Sequence, residues 1–235
     1  MTRVACQQLA PTLGDLDANR ALAHAAIVEA VDAGAEVVVL PELVTCGYMF
    51  ETREEAAAVA ITSEHDLLRE WGALAAQADI VLVAGFCELG TDGGLYNSAA
   101  VFDAGGLRAV YQKLHLWNRE KEIFDPGREP PAVIDTRVGR VGVIVCYDLE
   151  FPELTRGLAL QGAQLLAVPT NWPLVPRPPG ERPPEVVIAM ATALTNRVAV
   201  AARTDWAPSG GRSGREGRRS SGQTAGRPPR LTIRG

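Results

Sequence analysis

The feature that most limits how this chain can fold is a series of short apolar runs, set between stretches of helical character. "AEVVVLPE" (35–42), "IVLVAGFCE" (80–88), "VGVIVC" (141–146), "QLLAVPTNW" (164–172) and "VAVAA" (198–202) are apolar almost throughout. Runs of this length, rich in valine and isoleucine and bounded by Pro, Gly or polar residues, read as buried strands. None approaches the roughly 18 residues needed to cross a bilayer as a helix. "VACQQLA" (4–10) reads as a first strand.

Helices fall between these runs. "DLDANRALAHAAIVEAVDAG" (15–34) has Asp15 or Asp17 to cap it and Gly34 to end it. "SEHDLLREWGALAAQAD" (63–79) offers Ser63 as N-cap and repeats Leu67, Leu68, Trp71, Leu74 and Ala75 at helical spacing. "EFPELTRGLALQGA" (150–163) and "EVVIAMATALTNR" (185–197) are two more. Two stretches break the strand–helix rhythm. "NSAAVFDAGGLRAVYQK" (97–113) reads as a hairpin about "DAGG", and "AVIDTRVGRVGVIVC" (132–146) repeats the pattern with a turn near Gly139. Alternation interrupted by hairpins implies an α/β layered fold with mixed rather than purely parallel sheets. Three of these strands end in reactive side chains: Glu42, Lys113 and Cys146. Layered α/β folds usually place their sites at such strand ends.

Composition narrows the function classes. With 47% hydrophobic and 22% charged residues, the chain matches a soluble globular core. Its N-terminus lacks the apolar stretch of a signal peptide, so a cytoplasmic location is expected. Cys6, Cys46, Cys87 and Cys146 are scattered without a CxxC pair and read as free thiols. His24, His65 and His115 have no ligand-like spacing, so a zinc site is not expected. From Trp206 onward seven arginines face one glutamate, and the formal net charge is −5, so −5 less +6 leaves −11 on the first 205 residues. That acidic body argues against nucleic acid as a partner. The last stretch, 205–235, is mostly Gly, Arg, Ser and Pro and reads as disordered. Its abrupt onset is that of a reading-frame shift in a GC-rich gene, which would leave the domain at 1–204 without its last strands.

A cysteine is nucleophilic as thiolate, and its free pKa lies near ~8.5. It therefore needs a base or a positive charge. A glutamate buried among apolar groups rises toward neutrality and suits proton transfer at about pH 7. A lysine can hold negative charge developing on a substrate oxygen. Glu42, Lys113 and Cys146 together would make an acyl-transfer site.

"PELVTCGY" with Glu42, "YQKLHLW" with Lys113 and "CYDLEFPE" with Cys146 resemble, in order and wide spacing, the signature blocks of the carbon–nitrogen hydrolase (nitrilase) superfamily. "NREKEIFDPG" resembles the block bearing that family's second glutamate. This puts Glu120 in the role, four residues before Phe124 and six before Pro126; Glu122 fits the spacing less well. The resemblance covers about 3–204 and implies an α-β-β-α sandwich, a homodimer paired through helices, and no cofactor. It implies that Cys146 attacks an amide carbonyl, that Glu42 shuttles the proton, and that Lys113 with the Tyr147 backbone N–H holds the oxyanion. Glu120 would orient substrate or assist proton traffic. Asp148 is expected to orient the turn after the nucleophile, and His115 to be structural.

Many relatives carry arginine where this chain has Glu150. Glu150 could draw the ammonium group of an ω-amino amide such as 5-aminopentanamide, or could pair with Arg156 or Arg197. Asn171 and Trp172, opening a Pro-rich loop, are expected at the pocket wall. Together these motifs look closest to aliphatic amidases of the 5-aminopentanamidase kind. A nitrilase, an N-carbamoyl-amine hydrolase, or an inactive member retaining only the pocket are the alternatives on the same residues.

Overall fold

The computed structural model describes residues 1–172 and 178–202. In chain order its elements are β1 (Val4–Cys6), α1 (Leu16–Asp32), β2 (Val37–Val39), α2 (Arg53–Ala57) and α3 (Asp66–Ala78). They continue with β3 (Val81–Leu89), β4 (Leu95–Asp103), β5 (Gly106–Gln112), α4 (Glu120–Ile123), β6 (Val133–Thr136) and β7 (Gly139–Val143). A 3-10 turn (Cys146–Glu150), α5 (Pro152–Leu160), β8 (Leu165–Ala167), α6 (Pro184–Asn196) and β9 (Ala199–Ala201) complete the set.

The strands form two mixed sheets, as the interrupted alternation predicts. One has the order β1-β2-β3-β4-β5, the other β6-β7-β8-β9. In the first, β1, β2 and β3 are parallel, while β3, β4 and β5 run antiparallel. In the second, β6 and β7 form a hairpin, and β8 and β9 add in parallel. The two hairpins read from the sequence turn where expected, at Asp103–Gly106 and Thr136–Gly139, and consecutive β3 and β4 form a further one.

Side chains of a strand alternate between its two faces, and here both faces are dry. Val37 and Val39 of β2, with Val83 and Val101, point into a core shared with Val141, Val143 and Leu166 of the second sheet. Val38, Leu82 and Phe102 point the other way, onto Ile27 of α1 and Leu68 and Trp71 of α3. That explains why these runs are continuously apolar rather than alternating. On the far side of the second sheet, Gly142 faces α5: a Cβ there would stand 3.1 Å from the methyls of Leu158. Helices, sheet, sheet and helices therefore stack in four layers, the expected α-β-β-α order.

The helix ends follow local chemistry. Asp15 caps α1 by accepting the Ala18 N–H at 3.0 Å, and Gly34 leaves the helix at φ +77. For α3 the cap is His65, not Ser63; its Nδ1 accepts the Leu67 N–H at 3.2 Å. The expectations about the Arg-rich tail and the last strands lie outside the described residues. Among the described residues no helix is long and apolar enough to cross a membrane.

Candidate active site

Three turns, each at the end of a strand, bring the site together. The first follows β2. Pro41 ends the run, Glu42 turns inward, and Leu43 takes a left-handed φ of +50. This turn lies directly on Gly85 of β3. A Cβ at Gly85 would sit 2.6 Å from the Pro41 carbonyl oxygen and 2.7 Å from Glu42 Cα. Those neighbours are backbone atoms that cannot swing aside. Gly85→Ala is therefore expected to cost about 1–3 kcal/mol of stability. A displacement of Glu42 approaching 1 Å would also lower turnover about a hundredfold. Denaturant midpoints and initial rates measure the two effects, and an alanine variant with parental rate would show that the turn tolerates the shift.

The second turn follows β5. The Lys113 N–H donates to the Asn97 carbonyl at 2.9 Å, which extends the β4–β5 ladder by one bond. The Lys113 side chain is fully buried, and its Nζ donates to Glu42 Oε1 at 2.6 Å and to Glu120 Oε2 at 2.8 Å. Glu120 begins α4 and is held from behind by the Trp117 N–H, 2.7 Å from its Oε2.

The third turn follows β7. Cys146 lies at φ +47, a left-handed conformation that costs a non-glycine residue of order 1–3 kcal/mol. Its N–H donates to the Pro169 carbonyl at 2.9 Å. The 3-10 turn then runs on from the cysteine, with Tyr147 second in line; the leading N–H groups of a helix have no acceptor within it.

Two ties hold the sheets' ends in register. Asp148 is wholly buried. Its Oδ2 accepts the Tyr111 hydroxyl at 2.9 Å and the Val145 N–H at 3.1 Å, while Oδ1 accepts the His115 N–H at 2.9 Å. The His115 ring is also 2.9 Å from that oxygen and stacks on Phe151 with centroids 3.5 Å apart. Asp148 thus fastens the cysteine turn to the strand that delivers Lys113, which is the orienting role expected of it. The other tie is the segment leaving β8. Its Thr170 carbonyl accepts the Glu42 N–H at 3.4 Å, beside the Pro169 bond to Cys146. The next residue, Asn171, turns its own N–H toward the Cys146 sulfur. Trp172 is buried in the same core cluster as Cys146.

Burial raises the Glu42 carboxyl to about 7; Lys113 opposes the rise and the Glu120 charge adds to it. Burial pushes the Cys146 thiol well up, and Glu42 reinforces this against Lys113 and the Asn171 N–H. Burial alone would push Lys113 down, but the charges of Glu42, Cys146 and Glu120 outweigh it and hold the ammonium protonated. Burial thus favours the neutral thiol at Cys146 and brings the Glu42 carboxyl close to neutrality.

Glu150 stands apart from this buried set, exposed at the end of the 3-10 turn. Among the described residues it forms no ion pair, and Arg156 donates instead to Asn196 Oδ1 at 3.4 Å. Partial burial and the Glu185 carboxylate raise its pKa. Two residues near the site escaped the sequence reading. Asn97, wholly buried, donates to both Glu42 and Glu120. The Tyr48 phenol is driven up by burial and by the charges of Glu42, Glu120 and Cys146. The only trace of Asn97 in the sequence is a carboxamide within "LYNSAAVF", where an otherwise apolar strand obliges it to find partners.

A carbon-nitrogen hydrolase family model matches residues 3–229. A nitrilase from Pyrococcus abyssi is 41% identical over 187 residues, covering 75% of this chain and 68% of the relative. A citrullinase from Francisella tularensis is 35% identical over 162 residues, covering 65% and 55% respectively. Among solved structures, a mutant of the amidase from Nesterenkonia sp. AN1, showing Michael addition of acrylamide at its active-site cysteine, aligns with a TM-score of 0.67 at 30% identity. That alignment covers 85% of this chain and 77% of the amidase. The matches span 59% to 68% of the lengths of the first three curated relatives.

Proposed function

The chain belongs to the carbon-nitrogen hydrolase family, and from that premise we propose that it is an amidase, hydrolysing a small linear amide to carboxylate and ammonia through a cysteine thioester. One observation carries the reading: the fully buried Lys113 ammonium bridges Glu42 and Glu120 at 2.6 and 2.8 Å, while Glu42 Oε2 has no donor among the described residues. That oxygen is available to a proton. Glu42 takes the thiol proton as the Cys146 sulfur bonds to the amide carbon, and the carbonyl electrons move onto oxygen. Lys113 and the Tyr147 N–H stabilise that oxyanion. When the oxyanion collapses, the C–N bond breaks and Glu42 returns the proton to the departing amine. Water then adds to the thioester and gives a proton to Glu42. The C–S bond breaks, and the proton goes back to sulfur. Glu120 holds Lys113 and the substrate end of the site.

The substrate's far end is read from charge. Glu150 and Glu185 lie close enough to raise the Glu150 pKa, with no cation paired to Glu150 among the described residues. A substrate carrying an ammonium group, of the ω-amino amide kind, suits two neighbouring carboxylates, and one carrying a carboxylate does not. Asn171 and Trp172 line the acyl side. The likeness to a citrullinase supports a second reading, an N-carbamoyl amine as substrate. A screen of ammonia release over short amides, ω-amino amides, dicarboxylate monoamides, carbamoyl amines and nitriles separates these. Fastest turnover of ω-amino amides is expected. Silence on every amide would refute the amidase reading, and a preference for monoamides carrying a carboxylate would refute the role of Glu150.

We further assign the outer face of α6 and α5 to pairing with a second copy of the chain. Val187, Met190 and Leu194 follow one another along α6 and, with Leu160, remain exposed. Light scattering that returned the mass of a single chain at micromolar concentration would refute this pairing.

A further inference from the structure

We propose that Asn97 is a positioning residue of the hydrolytic site, clamping the Glu42 and Glu120 carboxylates from the side opposite the lysine and leaving a single Glu42 oxygen to move protons. The inference rests on the reading of Glu42 as the base.

The clamp is built from the two N–H groups of one carboxamide nitrogen. Asn97 lies on β4 opposite Cys87 and is wholly buried. Its Nδ2 donates to Glu42 Oε1 at 2.8 Å and to Glu120 Oε1 at 3.1 Å. A side-chain amide has two N–H groups, so this pair of bonds exhausts it. Lys113 Nζ reaches the same two oxygens, at 2.6 and 2.9 Å. Two donors and two acceptors therefore close a square. One consequence is orientation. Both donors to Glu42 act on Oε1, so Oε2 is left bare. The other consequence is electrostatic. Two carboxylates share one ammonium, and Asn97 stabilises their ionised forms without adding charge. The carboxamide oxygen, Oδ1, has no partner among the described residues. Leaving a buried acceptor unpaired is costly, and a residue kept only for packing would more naturally be leucine.

The groups that bear on Glu42 come from every side. They are Lys113 after β5, Glu120 of α4, Cys146 of the 3-10 turn, and Tyr48 from the loop beyond Glu42 itself. Removing Asn97 takes two hydrogen bonds from the ionised carboxylates and leaves those charges in place. Glu42 must then hold its proton to higher pH.

The test is the pH dependence of Cys146 alkylation by iodoacetamide in the parent, Asn97→Leu and Asn97→Ser. The Cys146→Ala variant subtracts reaction at the other thiols. The parent rate should rise through an inflection near 7, as Glu42 ionises. In both variants the inflection should move up by about one pH unit. The rate would then fall about fivefold at pH ~7, approach a tenfold loss at lower pH, and recover near pH ~9. The acid limb of kcat/KM for an amide should move with it. An unmoved inflection, with a rate lowered equally at every pH, would overturn the proposal. So would loss of fold in both variants, which would make Asn97 a structural residue. Alkylation requires no turnover. If the parent hydrolyses no amide, the functional reading fails while the alkylation profile still decides for or against Asn97.

Discussion

The Cys146→Ala variant is expected to fold like the parent and to release no ammonia from any amide. Alanine keeps the Cβ, and therefore the backbone preference, at a residue held at φ +47. The lost sulfur leaves only a small void, and stability should change by about 1 kcal/mol or less. No other group is expected to take over the attack on the amide carbon. Asp148 is committed on both oxygens to Tyr111, Val145 and His115, and Cys46 and Cys87 belong to a different buried cluster. Loss of turnover on the order of 10⁵-fold or more should follow. Ammonia release at about one per cent of the parental rate would refute the thioester route, provided the thermal midpoint showed an intact fold.

Lys113→Met should damage both activity and stability, because it removes the one cation between two buried acids. With Nζ gone, Glu42 and Glu120 keep the Asn97 bonds but face each other without a counter-charge. Glu42, already raised to about 7, would be driven higher and would stay protonated at neutral pH, unable to take the thiol proton. Breaking a buried pair by deleting one partner typically costs about 3–5 kcal/mol. Methionine fills most of the lysine's volume, so packing contributes little to that loss. The oxyanion also loses its charged donor. Turnover should fall at least about a thousandfold, and the denaturant midpoint should fall with it. Because the cost comes from carboxylates left without their cation, stability should recover in part as pH falls from about 7 toward the ordinary glutamate value of 4.5. The sign is fixed by Glu42: its folded pKa lies above its ordinary value of 4.5, so protonation favours the folded state. Equal destabilisation at all pH values would assign the loss to packing instead.

Strands covered on both faces are easy to recognise, because nothing polar interrupts them. Val37 to Leu40 and Val141 to Val145 are such cases, and the reactive residues that end them stand out by contrast. The four longer helices were legible by spacing and caps. The short α2 and α4 and the 3-10 turn were not, since a single turn leaves no periodicity to read. The α3 start moved from Ser63 to Asp66 because His65 supplies the cap. At the site, Glu42, Lys113 and Cys146 could be named from strand ends and motif order. The square that ties Glu42 and Lys113 to Glu120 and Asn97 could not. Asn97 meets Glu42 across 55 residues and Glu120 across 23, and such closures depend on register rather than on local sequence. The fate of Glu150 was likewise undecidable from its neighbours in the chain, since the carboxylate that bears on it, Glu185, lies 35 positions later in the first turn of α6.

The stacking of the two sheets has a consequence for how the chain acquires its chemistry. The base, the lysine and the clamp all come from residues before 121, on the first sheet and its loops. The thiol and the Asp148 tie come from residues after 140, on the second. Neither half holds both Glu42 and Cys146, the base and the nucleophile of the proposed route. On the proposed route, reactivity would be a property of the docked pair: a chain emerging from synthesis, or one whose second sheet has come loose, would carry an unassisted Cys146 thiol.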